Sequence, residues 1–425
     1  MIAASYSPPA SPSALVTWTQ NAAIFAVCAN LFSTALANLG FAVFLVLFLC
    51  VCASDQRQHL DTKNFPVGVV IAIGIYIGWQ VVGLSYTDAP MSYALKSIFS
   101  DRKILYILPL ALTFSDERPK TRFLSAFLAT STVGLLASYA LKIKFIHAAF
   151  NPNPDPSYVF YVFRSHATQG MVFAICVFLA FWFGFKQQIP ARRWAFYAMA
   201  GAFLLNLATL TPGRSGYVVF LVLVVWTFAI WRGFKGVAVG LVAALCFGLM
   251  AFYASSSVHN RMMEGVAEAR NYLTSRAETS LGRRVILYQT TLDMIKERPA
   301  FGVGTGGFKK HFSAIAAEKY TGWRAVPFDD PHNQYLFIAA ENGLIGLATF
   351  LFMIGMMLKY CLKGGSIYGK MAAGCVLAWS ATSLFSGHFR TFPEGHLIAF
   401  IVGILMVNRL PGGDPLQARK PSTAN

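Results

Sequence analysis

Long apolar runs, many close to the length that crosses a bilayer, recur along almost the whole 425-residue chain and leave few alternatives for its fold. A transmembrane helix needs about 20 consecutive apolar residues, because without water every backbone amide must find its partner inside the segment. Such runs lie at about 16–34, 36–53, 66–84, 92–114, 123–145, 167–185, 194–210, 215–231 and 236–253, and again at 334–358, 367–386 and 395–409. The fourth is the weakest: Ser92 to Ser100 is amphipathic, and only Ile104 to Phe114 is clearly apolar. Hydrophobic residues are 56% of the chain and charged residues 12%, too little charge to cover a water-facing surface of this size. The chain therefore reads as an all-α polytopic membrane protein of about twelve transmembrane helices.

The organisation follows from where these runs stop. Residues 1–15, rich in Ser, Pro and Ala, form a flexible lead-in; 16–253 hold helices one to nine; 254–332 form one large extramembrane loop; 333–409 hold helices ten to twelve; and 410–425 are a polar tail. The connections 54–65, 115–122, 186–193, 232–235 and 359–370 all carry Lys or Arg, whereas 85–91 carries none and 146–165 only Arg164. Short cytoplasmic loops collect positive charge, so both termini are placed in the cytoplasm. The large loop, the Pro-rich stretch 151–156, and the turns at 211–214 and 387–394 then share the outer face.

The same distribution explains the net charge of +17. The basic residues sit in short clusters between apolar runs rather than along a phosphate-tracking groove, which argues against nucleic acid as a partner. Seven cysteines all fall in or beside apolar runs, with no CxxC pair, and read as packing residues. No basic segment precedes the first apolar run, so no cleaved signal peptide is expected.

Chemistry concentrates on the outer face. Arg214 lies in Thr211-Pro212-Gly213-Arg214-Ser215-Gly216 between two apolar runs, where an arginine either anchors to lipid headgroups or meets an anion. Arg283 and Arg284 open a helix-like run, a position the helix dipole disfavours for cations unless an anion is bound nearby. Arg270 and Arg276 are further candidates, with Glu264, Glu268 and Glu278 available to neutralise them. The run Pro299 to Phe308 carries four glycines but no Gly-Lys-Ser/Thr, which excludes a P-loop. It either brings amides to a phosphate or lets the loop cross itself. His332 follows Asp329, Asp330 and Pro331 just before the tenth run, and its near-neutral reference pKa suits removal of a hydroxyl proton. Glu341 lies further into that run and needs an arginine or a polar cavity as company. A metal is the competing use of Asp329, Asp330 and His332, but the spacing matches no recognised ligand set, so no metal and no cofactor is expected.

These stretches together resemble the O-antigen ligase family, within the wider group of O-antigen polymerases and O-oligosaccharyltransferases of Gram-negative inner membranes. The resemblance rests on Thr211 to Gly216, Gly282-Arg283-Arg284, Pro299 to Gly306, Pro331-His332-Asn333-Gln334-Tyr335-Leu336 and Glu341 to Gly346, and it covers most of the chain. It implies a GT-C-like glycosyltransferase of the bacterial inner membrane, monomeric, with a mostly helical periplasmic loop between helices nine and ten. It further implies glycan transfer from undecaprenyl diphosphate to lipid A–core, with His332 catalytic and Arg214 and Arg284 on the diphosphate. Beside these, Arg283, adjacent to Arg284 and able to exchange roles with it, and Arg164, Arg270, Arg276, Tyr320, Trp323 and Glu341 are candidate substrate contacts by residue type and position, with Tyr272 a further loop aromatic. A polymerase or a protein O-oligosaccharyltransferase would share the donor, and a transporter or lipid flippase is the non-enzyme reading.

Overall fold

The structure is a computed structural model and describes residues 13–143, 161–211, 213–275 and 278–406. The Pro-rich stretch 151–156, Arg276, and most of the two terminal segments lie outside the described residues. Among those described, the regular structure is entirely helical. The first group is α1 (Ala14–Asn30), α2 (Thr34–Ala53), α3 (Val67–Val82), α4 (Met91–Asp101), α5 (Ile107–Thr113) and α6 (Glu117–Lys142). Then come α7 (His166–Lys186), α8 (Pro190–Thr209), α9 (Arg214–Arg232) and α10 (Phe234–Ala254). The former loop region supplies α11 (Ser256–Ser275), α12 (Ser280–Glu297) and α13 (Phe308–Lys319), and the chain closes with α14 (Gln334–Leu362), α15 (Ile367–Thr382) and α16 (Phe392–Leu405).

Seven of these helices are long and apolar enough to cross a membrane: α2, α3, α6, α7, α9, α10 and α14. The weak fourth run is divided between amphipathic α4 and the seven-residue α5, as the charge pattern around Asp101 to Lys103 requires. Burial ranks the spans. The window of α7 is 78% buried and that of α10 only 11%, so α7 is central and α10 presents most of its side chains outward. Where α7 meets α9 the backbones touch. A Cβ on Gly216 would lie 2.7 Å from the Gly170 Cα, so only small residues permit the crossing that sets the start of α9, and with it Arg214.

The glycine-rich run is a clasp on α14. That helix is broken at Gly343 (φ 70°, ψ −178°), and a break inside an apolar helix strands amides and carbonyls that must be satisfied by protein. Residues 299–304 do this. The amides of Val303 and Gly304 donate to the Ala340 and Glu341 carbonyls at 3.0 and 2.9 Å, and those of Leu344 and Ile345 donate to the Pro299 and Ala300 carbonyls at 2.8 and 3.3 Å. The indole of Trp79 covers the Asn342 carbonyl at 2.8 Å. Of the two roles open for this run, the clasp accounts for its amides at Val303 and Gly304, which point into α14.

Beside the clasp, the carboxylate of Glu341 is buried, as its place in an apolar run implied, and has polar company. Ser97 donates to Glu341 Oε2 at 2.9 Å, and the backbone amides of Gly306 and Phe308 also reach the carboxylate. Arg390 Nη2 lies 3.3 Å from the same Ser97 hydroxyl, with its guanidinium 3.7 Å from the centroid of the Phe337 ring. Glu341 thus meets an arginine through a serine. Truncating it to Ala would strand those donors, and a loss of about 3 kcal/mol or more is expected, read as a lowered unfolding midpoint in detergent.

Candidate active site

The first turn of α12 is built for a specific geometry. Thr279 Oγ1 accepts from the Gly282 amide at 2.9 Å, and Glu268 from α11 accepts from the Leu281 amide at 3.1 Å, so two of the free N-terminal donors are met by side chains. Ile286, Leu287, Thr290 and Met294 are buried on the side of α12 that packs against α14, as their spacing anticipates. With that face fixed inward, Arg283 and Arg284 border a cavity of about 360 Å³, also lined by Glu278, Thr279, Ser280, Leu287, Phe328 and His332.

The two arginines differ in their partners. Arg283 is held by Glu278, with Nη2 and Nε at 2.5 and 3.0 Å from Oε1. Arg284 has no hydrogen-bond or ion-pair partner among the described residues. A guanidinium that faces a cavity and has no carboxylate partner of its own is suited to an anionic ligand.

His332 sits across this cavity on a strained backbone. It is the one described non-glycine residue with positive φ, at 54°, a conformation that costs about 1–3 kcal/mol in a side-chain-bearing residue and tends to persist where function requires it. The turn is held by Asp330, whose Oδ1 accepts the His332 amide at 2.5 Å. The His332 carbonyl lies 3.5 Å from the Tyr288 hydroxyl, which also donates to the Leu384 carbonyl at 3.1 Å. Burial pushes the Tyr288 phenol above its ordinary pKa, opposed by the nearby Arg284 charge, so the hydroxyl remains a donor. Immediately after His332, Asn333 caps α14, accepting from the amides of Tyr335 and Leu336 at 3.0 and 3.1 Å. The imidazole itself is about half exposed, open to a ligand in the cavity.

The metal reading of the acidic pair has little geometric support. Asp329 is paired with Lys309 at 2.9 Å, while Asp330 is engaged with the His332 backbone. Among the described residues no group of three or more His, Cys, Asp or Glu side chains is arranged to hold an ion.

The other sequence candidates lie outside the cavity lining. Arg214 rests on α11, with Nη2 3.4 Å from the Arg261 carbonyl and close to Gly265. Arg164 is exposed and stacks 5.2 Å from the Phe392 ring centroid. Arg270 is on the exposed side of α11, and Glu341 is buried by the clasp. Tyr320 ends α13, its ring beside Lys319 and Arg324, and Trp323 is partly exposed in the 3-10 turn that follows. Tyr272 is buried, which removes it as a surface for stacking a sugar. Sequence reasoning missed Tyr288, Arg390 and the backbone role of Asp330. Tyr288 was legible in principle, four residues after Arg284 and so on the same helix face.

An all-α membrane protein with an unpaired arginine and a strained histidine around one cavity has the makings of an enzyme that handles an anionic substrate at a membrane. The comparisons with known proteins bear on which one. The profile described as O-antigen ligase matches residues 202–351, a segment that contains Arg214, Arg283, Arg284 and His332. The chain is 24% identical over 329 residues to the O-antigen ligase of Salmonella typhimurium LT2, covering 74% of this chain and 76% of that one. It is 22% identical over 341 residues to the O-antigen ligase of Escherichia coli K12, covering 78% of each. An uncharacterized protein of Haemophilus influenzae is 25% identical over 279 residues, 63% of this chain and 67% of its own. The chain is thus similar to the O-antigen ligases, by the family profile over residues 202–351 and by the two named relatives over 74% and 78% of its length.

Proposed function

We propose that this protein transfers a glycan from undecaprenyl diphosphate to a sugar hydroxyl of lipid A–core, at the outer face of the bacterial inner membrane, with both termini in the cytoplasm. The observation that carries the reading is the pairing across one cavity of Arg284, which lacks a carboxylate partner, with His332. The acceptor hydroxyl oxygen attacks the anomeric carbon as the bond from that carbon to the phosphate oxygen breaks. His332 takes the hydroxyl proton, and the lipid diphosphate leaves with the electron pair. The negative charge that grows on the leaving group is met by Arg284 in the cavity, while Arg214, which rests on α11 outside that lining, is assigned to the donor diphosphate by the family resemblance alone. Stabilisation that strengthens as the bond breaks is catalytic rather than merely binding. One direct displacement inverts the anomeric centre. Arginines can compensate the diphosphate charge without a divalent cation, so transfer is expected to survive EDTA.

The test is transfer in vitro with purified protein, undecaprenyl-diphosphate glycan and lipid A–core. Arg284→Ala is expected to slow it by about 100-fold or more, the usual cost of removing one group that stabilises developing charge. Arg283→Ala, which loses an exposed pair with Glu278, is expected to change the rate by less than about fivefold. Equal losses in the two variants would contradict the assignment of the free arginine. Elongation of lipid-linked glycan in place of transfer to lipid A–core would move the protein to the polymerases.

A further inference from the structure

Behind His332, on the side away from the cavity, the structure holds a polar group that the proposed reaction has not used. Asp330 bridges two environments. Its Oδ1 accepts the His332 amide at 2.5 Å and stands 4.0 Å from the His332 ring nitrogen Nδ1. Its Oδ2 faces the turn between α15 and α16, where a Cβ built on Gly387 would lie 2.8 Å from it. The same point is 3.6 Å from Gln334 Oε1, and Gln334 is 1% exposed with neither of its amide side-chain atoms hydrogen-bonded. Buried amides without partners are rare and costly, and one placed beside a carboxylate indicates polar space kept for that carboxylate. Gly387 is what leaves the space open. Asp330 therefore has room on one side and the imidazole on the other.

We infer that Asp330 is the positioning residue of His332: its carboxylate receives the Nδ1 proton of the imidazole and so directs the basic Nε2 lone pair into the cavity. The inference rests on the reading of His332 as the base. A histidine can accept a proton at one ring nitrogen only if the other carries its hydrogen, and a carboxylate at Nδ1 selects that tautomer and steadies the imidazolium that forms. Asp330 Oδ1 and His332 Nδ1 stand 4.0 Å apart, beyond hydrogen-bond length, so the inferred bond requires the imidazole to turn toward Oδ1. The other charged or titratable groups around the ring and Asp330 come from α12 and its cap and from the turn after α15. Arg283, Arg284 and Tyr288 lie on α12, Glu278 precedes it, and His388 in the turn is near Asp330 rather than the ring. Among these, Glu278 is committed to Arg283, which leaves Asp330 as the carboxylate beside Nδ1.

Three measurements test this. In Asp330→Asn, kcat for transfer is expected to fall about 100-fold or more while KM for the lipid-linked donor stays within about threefold, because the arginines that bind the donor are untouched. Nitrogen-15 spectra of histidine-labelled protein, with the His332 signal assigned by difference from His332→Ala, are expected to report the Nδ1–H tautomer in the native protein. They should report a shift toward Nε2–H in Asp330→Asn. Gly387→Ala, which keeps the carboxylate but crowds it, should lower kcat by about tenfold without changing donor KM, and it serves if Asp330→Asn does not fold. Native turnover in Asp330→Asn, or an unchanged tautomer, overturns the inference. If His332→Ala also turned over normally, the reading of His332 as base would fall; if His332→Ala were inactive, only the role of Asp330 would.

Discussion

Replacing His332 by Ala is expected to reduce glycan transfer by about 10²- to 10⁴-fold, the usual contribution of a positioned general base. The effect should appear in kcat. Arg284 would still face the same cavity of about 360 Å³, so the donor should bind nearly as before. Because His332 occupies positive φ, the best structural control is His332→Asn, since asparagine tolerates that conformation better than other non-glycine residues and cannot act as a base near neutral pH. Transfer assays on both variants, paired with a donor-binding measurement, separate the loss of a base from the loss of a fold. Wild-type turnover in His332→Asn would remove His332 from the chemistry.

Gly343→Ala is expected to be the most damaging small substitution in the chain. The backbone there, φ 70° and ψ −178°, lies in a region occupied essentially by glycine alone. The added Cβ would also run into the carbonyl group of Ala300. Relief would require the clasp to separate from α14, which would uncover the four backbone hydrogen bonds across the break in a helix apolar enough to span a membrane. We expect a loss of about 3–5 kcal/mol, seen as a large fall in the thermal unfolding midpoint in detergent or as failure to accumulate folded protein. Gly355, in the same helix with open space around its Cβ position, is the control: Gly355→Ala should leave the midpoint nearly unchanged. Similar midpoints for the two variants would show that the clasp is not under the constraint described.

The helical spans were readable because the bilayer imposes a length and an apolar composition that local sequence alone must satisfy. Each apolar run is helical over most of its described residues, and α12 buries Ile286, Leu287, Thr290 and Met294 as the 3.6-residue period demands. The site was readable in part. Arg283, Arg284 and His332 stood out because cations at a helix start and a histidine at the edge of an apolar run are chemically conspicuous. What local pattern could not decide was which arginine is free. Glu278 lies five residues before Arg283 and six before Arg284, and only the cap at Thr279 sets which of them turns toward it.

The glycine-rich run marks the other limit. Its composition permits a phosphate cradle and a backbone clasp alike, since both require close approach without side chains. The choice was made by residues some forty positions away, where Gly343 breaks α14 and strands backbone groups that residues 299–304 satisfy. Asp330 presents the same contrast at shorter range, because its neighbours in space are Gly387 and Gln334. Sequence by itself determined the solvent this chain requires, its helical class and the residue types able to bind an anion and take a proton, because those depend on hydropathy, periodicity and side-chain chemistry. Only the tertiary structure decided which of those side chains face one another, because that depends on backbone breaks and on partners distant in the chain.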